Sequence, residues 1–444
     1  MADIDVPVTR YEQIMTSHST RPADLPARFA EASRAARAAT PVSSVREAAI
    51  RDVAAGVAGP ALVGFVLWML REARARRLQR LKFLSRDGQV LYELARRTAR
   101  WGPAPDLEYV FSSRLTWSLA ATDPDRLAAT PWLFNSFMKS NAADLCARLG
   151  LVLDEYQPVL VASGVSLDPE VRAHQPGQGD ALRRFVGTPE VTLAVTRRVT
   201  AVRRLVAEYA AQHALADSST GLVDAGWTGR MIGSLVQACG AADMSRPHAL
   251  LWGHEPRASG WTDPHRVAAY MYNTAIGQGR RWRVPDAPFV VETFCMSDHG
   301  IVSTYHRDES GRITPVLLSA TNTPAMEWGL PLYRTALYAF CDAIDGHPHL
   351  AEDVRPVVHE VMDAFWCHPT EAEAHAWGTY PYDSDPAATA VRPLARPVAI
   401  DGGHVSRGDR AWLAGSLVLS APATRAAYLR QLPRFDRTGA PAVD

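Results

Sequence analysis

A chain of 444 residues with 47% apolar side chains has room for one large domain or two to three smaller ones, each with a core of its own. Its 47 basic and 47 acidic residues cancel to a formal net charge of zero, which argues against nucleic acid or an anionic membrane as the main partner. Five scattered cysteines, Cys146, Cys239, Cys295, Cys341 and Cys367, form no C-x-x-C pair, so a reducing, cytoplasmic setting without a zinc module is expected.

The first ten residues carry acids and lack the basic start of a secretory leader. Residues 1–44, rich in Ala, Arg, Pro and Ser, read as a loosely held N-terminal helical arm. The charge-free stretch 53–70 is about 18 residues long, near the lower limit of a membrane span. It holds Gly56, Gly59, Pro60 and Gly64, and Pro60 fits the first turn of a shorter, buried core helix over 60–77. A strand follows over 81–84, then the loop Ser85-Arg86-Asp87-Gly88, a helix over 89–100, and a strand over 108–111 that runs into Ser112-Ser113-Arg114.

Between 116 and 215 the apolar spacing is helical, most clearly over 195–209, where the arginines share the solvent side. This reads as a helical insertion capping the open end of a sheet. The sheet resumes at 221–224, with a helix over 231–239 and a strand over 248–253. Beyond Asn273 the pattern weakens until 288–294, read as a strand near the sheet's edge. After Pro315 most segments are helical, with 328–343 and 355–365 the firmest, and Thr370 with Glu373 forms a capping box. The expected fold is α/β: a Rossmann-like, mainly parallel sheet in a core over 45–310 that includes the cap insertion 116–215, followed by a mainly helical region over 311–444.

Chemistry is expected where strands end, because doubly wound sheets bind ligands at their carboxyl edge. Gly221-Leu222-Val223-Asp224 is a buried strand that breaks into Ala225-Gly226-Trp227-Thr228-Gly229-Arg230 and opens a helix whose N-terminus favours an anion. Three such loops, at Ser85–Gly88, Ser112–Arg114 and Asp224–Gly229, each offer a hydroxyl together with an arginine or exposed backbone N–H groups, the inventory for phosphate oxygens. Trp227 either stacks on a ligand or packs beneath its loop. Glu292, Asp298 and His299 flank the expected edge strand and read either as solvated or structural groups or with one of them as a general base. Arg280-Arg281-Trp282-Arg283 reads as a phosphate clamp or a solvated turn. His347 with His349, and Cys367 with His368, lack partners for a metal, so no dedicated metal ligands are assigned.

Several pieces resemble a known family. Gly59-Pro60 with Gly64-Phe65 and Trp68, Phe83-Leu84-Ser85-Arg86-Asp87-Gly88, Ser113-Arg114, Val223 to Gly229, Glu292 with His299-Gly300, and Pro369-Thr370-Glu371 with Glu373-Ala374 and Gly378 are similar to the C-terminal module of bacterial predicted haloacid-dehalogenase-like (HAD superfamily) hydrolases linked to surface polysaccharide genes. The likeness covers about 57–385. The family carries its Asp-x-Asp motif in a separate domain, for which the residues before Gly59 are too few. Phe83–Gly88 imitates that motif, but Ser85 stands where the nucleophile belongs, and two residues after Asp224 comes Gly226.

The element order is also similar to the type I phosphoribosyltransferases. By that likeness Ser85, Arg86, Asp87 and Gly88 hold a pyrophosphate, Asp224 binds ribose hydroxyls, and the N–H groups from Gly226 to Arg230 with the Thr228 hydroxyl hold a 5′-phosphate. Arg114, beside Ser113, neutralises the leaving group. The implied activity is glycosyl or phosphoribosyl-type transfer from a phosphorylated sugar donor or a nucleotide-like molecule, with Mg2+ carried by the donor. Asp224, Asp87, Arg114, Glu292 and His299 are the expected catalytic groups. The alternatives are a HAD-like phosphohydrolase and a non-catalytic binding partner in polysaccharide or natural-product biosynthesis.

Overall fold

The structure, a computed structural model, describes residues 7–134, 141–240, 246–256, 263, 265–284, 287–344, 352–383, 391–398, 400–401, 404–405 and 411–431. Strands β1 (Arg80–Leu84), β2 (Asp106–Val110), β3 (Thr220–Asp224), β4 (His248–His254) and β5 (Val267–Asn273) form one sheet in the order β2-β1-β3-β4-β5. Every pairing in it is parallel. Register places Leu84 opposite Val110, and Phe83 opposite Val223, so β1, β2 and β3 end together. β4 and β5 are buried almost throughout, as a sheet lying between helices requires, while Lys82 of β1 pairs with Glu108 of β2 on the other side of the sheet. Phe83, Val223 and Leu250 join one core cluster, whereas Leu84, Leu222 and Leu251 join the other.

The first face is covered from the N-terminus onward. Helices α1 (Arg10–Ser17) and α2 (Leu25–Ala39) bury Tyr11, Met15, Leu25 and Phe29. The arm is therefore docked, contrary to the loose segment its composition implies: four apolar anchors at helical spacing outweigh the surrounding Ala and Arg. Helices α3 (Val45–Val53) and α4 (Gly59–Ala75) join through a π-turn at Ala54–Ala58 into one helix, Val45–Ala75. That helix is long and apolar enough to cross a membrane, yet its most apolar window is wholly buried inside the protein. Pro60 sits in the first turn of α4. Helix α5 (Gly88–Thr98) completes the contact with β1 and β2 on this face.

The second face holds α6 (Arg114–Ala121), α7 (Ala142–Leu149), α8 (Leu153–Ala162), α9 (Gln178–Val186), α10 (Pro189–Gln212) and α11 (Arg230–Ala238). Val191, Val195, Val199, Val202 and Val206 run down the buried side of α10 and share a cluster with Leu84, Leu222 and Leu251. The expected cap 116–215 thus supplies a layer of the sandwich rather than a roof over the strand ends.

Beyond the sheet, 288–294 departs from expectation. It is a helix, α12 (Ala287–Phe294), with Val290, Val291 and Phe294 buried. A short run of apolar residues without alternation reads equally as strand or helix, and tertiary packing decides. The antiparallel hairpin β6 (Val302–Arg307) and β7 (Ile313–Leu317) spans the expected boundary at 310/311. Helices α13 (Thr323–Trp328), α14 (Leu330–Ala343), α15 (Arg355–Trp366) and α16 (Glu371–Gly378) return to the first face. Short pairs β8 (Pro381–Asp383) with β9 (Val391–Pro393) and β10 (Ile400–Asp401) with β11 (His404–Val405) precede α17 (Leu413–Leu419) and α18 (Pro422–Gln431). The Thr370–Glu373 capping box is present, and the Glu373 carboxylate also accepts from the Tyr11 hydroxyl at 2.5 Å, tying the arm to α16.

Candidate active site at the β1/β3 crevice

β1 has β2 on one side and β3 on the other, and the helices that follow β1 and β2 cover opposite faces of the sheet. Such a switch point opens a crevice beyond the strand ends. Asp87 follows β1, Asp224 ends β3, and Glu292 reaches the same place from α12. All three are half-buried. Burial pushes the Asp87 carboxyl well above the usual range, and the charges of Glu292 and Asp224 push it further, against Arg86 and Arg114. Burial likewise raises Asp224, opposed by the Gly226 N–H, the Arg114 charge and the Ala225 N–H. Glu292 is raised by burial and by Asp224, and is held down by Arg114, Trp227 and Tyr382. Three carboxyls sharing one recess cannot all ionise freely, and each ionisation is opposed by burial and by its neighbours.

Arg114 is the first residue of α6 and is exposed, and its charge acts on all three carboxyls. Arg86 is half-buried beside Asp87, after a cis Ser85–Arg86 peptide bond. Gly88 opens α5. In the β3 loop, a Cβ on Gly226 would lie 2.8 Å from Asp224 Oδ2, so only glycine lets that carboxylate fold over its own loop. Gly229 has φ +62° and turns the chain into α11, leaving that helix without a side-chain cap. Trp227 packs rather than waits for a ligand: its ring stacks on Tyr272 with centroids 6.0 Å apart. Its buried indole N–H has no hydrogen bond of normal geometry, although Glu292 is close enough to feel it.

The hydroxyls expected to bind phosphate are engaged elsewhere. Ser85 Oγ donates to the Ser112 carbonyl at 2.6 Å and accepts the Ser112 N–H at 2.7 Å, while Ser112 Oγ donates to the Ser85 carbonyl at 2.9 Å. This buried reciprocal latch fastens the loops after β1 and β2 to each other. Ser113 Oγ accepts the Thr116 N–H at 3.2 Å as the N-cap of α6. The Thr228 hydroxyl accepts the Arg230 N–H at 3.3 Å. With the Gly226 N–H turned to Asp224, the run of donors expected from Gly226 to Arg230 is shortened at both ends.

His299 is fully employed. Its Nδ1 lies 2.7 Å from the Gly300 carbonyl and must donate, which leaves Nε2 to accept from the Tyr109 hydroxyl at 2.7 Å. Burial lowers its pKa, and with both ring nitrogens bonded the ring braces this turn. Asp298 pairs with Arg334 at 2.7 Å and accepts from Gln89 at 2.7 Å, clamping this turn to the start of α5. Trp282 packs near His359 at 5.9 Å and carries Arg281 over its face at 4.3 Å. His368 is exposed and lies 3.7 Å from Asp363, and His347 and His349 fall outside the described residues.

Sequence reading missed the tyrosines. Tyr382 donates to Glu292 Oε2 at 3.4 Å, and buried Tyr380 feels Arg86, Asp87 and Glu292. Both stand far along the chain in a Tyr-Pro-Tyr-Asp run with no spacing signal. Among the described residues, no group of three His, Cys, Asp or Glu is placed to hold a metal ion. No protein-family model matches this chain, and no curated protein matches it in sequence.

Proposed function

We propose that the β1/β3 crevice binds a phosphorylated sugar donor and carries out substitution at its anomeric carbon. The observation that supports this reading is the meeting of Asp87, Asp224 and Glu292 with Arg114 at the switch point. Carboxylates are the natural acceptors for sugar hydroxyls, and guanidinium groups balance phosphate. In this reading Asp224 receives donor hydroxyls, and Arg114 with Arg86 neutralises the departing phosphate or pyrophosphate. As the anomeric C–O bond breaks, Asp87 gives its proton to the leaving oxygen. As the new bond forms, Glu292 takes the proton of the acceptor. The unlike surroundings of the two groups favour that division.

In this reading magnesium is carried by the donor's own diphosphate as a substrate-borne counter-ion. The likeness to phosphoribosyltransferases selects the first donor to try. Calorimetry of the intact protein with phosphoribosyl pyrophosphate and magnesium is expected to show binding; no heat removes this donor.

A second reading keeps one observation of its own. Asp87 stands two residues after Ser85 with a raised pKa, as the acid of a phosphohydrolase would, and Asp224 across the crevice would be the nucleophile. Phosphate release from a panel of sugar phosphates, lost in both D87N and D224N, would favour hydrolysis. Release retained in both variants overturns it.

A further inference from the structure

We propose that Tyr382 is a positioning residue for this site: its hydroxyl, donated to Glu292 Oε2 at 3.4 Å, holds that carboxylate turned into the β1/β3 crevice. The geometry has two independent parts. Tyr382 belongs to the short strand β8, paired with β9, so its backbone is set by a region remote in sequence from the sheet. Its ring meets Phe289 edge-on, with centroids 5.7 Å apart and planes at 82°. Phe289 lies on α12, three positions before Glu292, so the ring grips the helix that bears the carboxylate while the hydroxyl grips the carboxylate itself.

The surroundings of Glu292 make the contact consequential. Arg114 faces it from α6, Asp224 and Trp227 from β3 and its loop, Asp87 from the loop after β1, Cys295 from the end of its own helix, and Tyr380 with Tyr382 from β8 and its approach. Of these, Asp224 disfavours a charge on Glu292. Arg114, Trp227 and Tyr382 favour it. A phenol hydrogen bond to the ionised form favours the charge on Glu292 against the burial that disfavours it. The C-terminal region thereby becomes part of the site. As a statement about catalysis this rests on the transferase reading; as a statement about the carboxylate it does not.

The test is therefore made without ligand. In full-length protein labelled with 13C at the glutamate carboxyl, E292Q assigns the Glu292 resonance, and its titration is followed in the unaltered chain, in Y382F and in Y382L. Y382F keeps the ring on Phe289 and removes only the hydroxyl. Its Glu292 midpoint is expected about one pH unit higher than in the unaltered chain. An unmoved midpoint in Y382F, whatever Y382L does, overturns the proposal. Should Y382F fail to fold, the Tyr382 Cζ resonance of the unaltered chain gives the answer: it is expected to move with the Glu292 midpoint, and a resonance indifferent to that titration overturns the proposal. Calorimetry of the unaltered chain with phosphoribosyl pyrophosphate and magnesium is read separately. No heat together with a shifted midpoint removes the donor and leaves Tyr382 in its role.

Discussion

The two flanks of β1 end in opposite chemistry. Toward β2, Ser85, Ser112, Ser113, Tyr109 and His299 are bonded to one another or to backbone, so that flank is fastened. Toward β3, Asp87, Asp224 and Glu292 face each other with too little positive charge among them. One flank spends its polar groups on holding the loops still, and the other keeps polar groups in a strained electrostatic state that only a ligand or a proton relieves. Fastened hydroxyls and crowded carboxyls separate across a single strand.

Substitutions on the two flanks should therefore fail in different ways. The largest effect is expected from D224N: ligand affinity measured by calorimetry falls on the order of 100-fold while the thermal midpoint holds or rises. A stable variant with unchanged affinity would place the site elsewhere. Next is S85A, which leaves the buried Ser112 N–H without its partner. Denaturant unfolding should show a loss of about 1–3 kcal/mol, with affinity changed less than about tenfold. The reverse pattern, full stability and lost binding, would return Ser85 to the ligand.

The smallest effect is the most discriminating. Because the Asp87 pKa is raised on folding, the folded chain holds more protons there than the unfolded chain, and stability from this group falls as pH rises from the unfolded carboxyl range. D87N removes that penalty. Its melting temperature should exceed that of the unaltered protein by on the order of 1–3 °C at pH 8, with the difference vanishing near about pH 4. A difference that stays constant with pH would mean that Asp87 does not share the recess as described.

Four of the sheet's five strands and the two acid-bearing loops were legible as short runs broken by glycine and a polar turn, as in Leu222 to Gly226 and Phe83 to Gly88, whereas β5, Val267–Asn273, was not read as a strand. What stayed hidden lies between distant segments. The Ser85–Ser112 latch joins residues 27 apart, and nothing local distinguishes a hydroxyl that waits for phosphate from one already bonded. Glu292 was singled out beside a strand and acts from a helix, since a run such as Phe289-Val290-Val291 satisfies either periodicity. Tyr382 reaches Glu292 across 90 residues of sequence, a contact that no spacing rule encodes.

The helix Val45–Ala75 has a consequence during synthesis. On α4, a Cβ on Gly59 would lie 2.7 Å from the ring of Phe340, so one of its closest neighbours in the finished protein comes from α14. At about 5–20 residues per second, roughly 15–50 s separate the emergence of the two. For that interval a helix long and apolar enough to cross a membrane would meet water, chaperones or a membrane-targeting factor. The arm made before it answers part of that exposure: Tyr11 lies so close to Gly56 that a Cβ there would approach its ring to 2.8 Å. A segment that read as a loosely held arm is thus also an early partner for this helix as it leaves the ribosome.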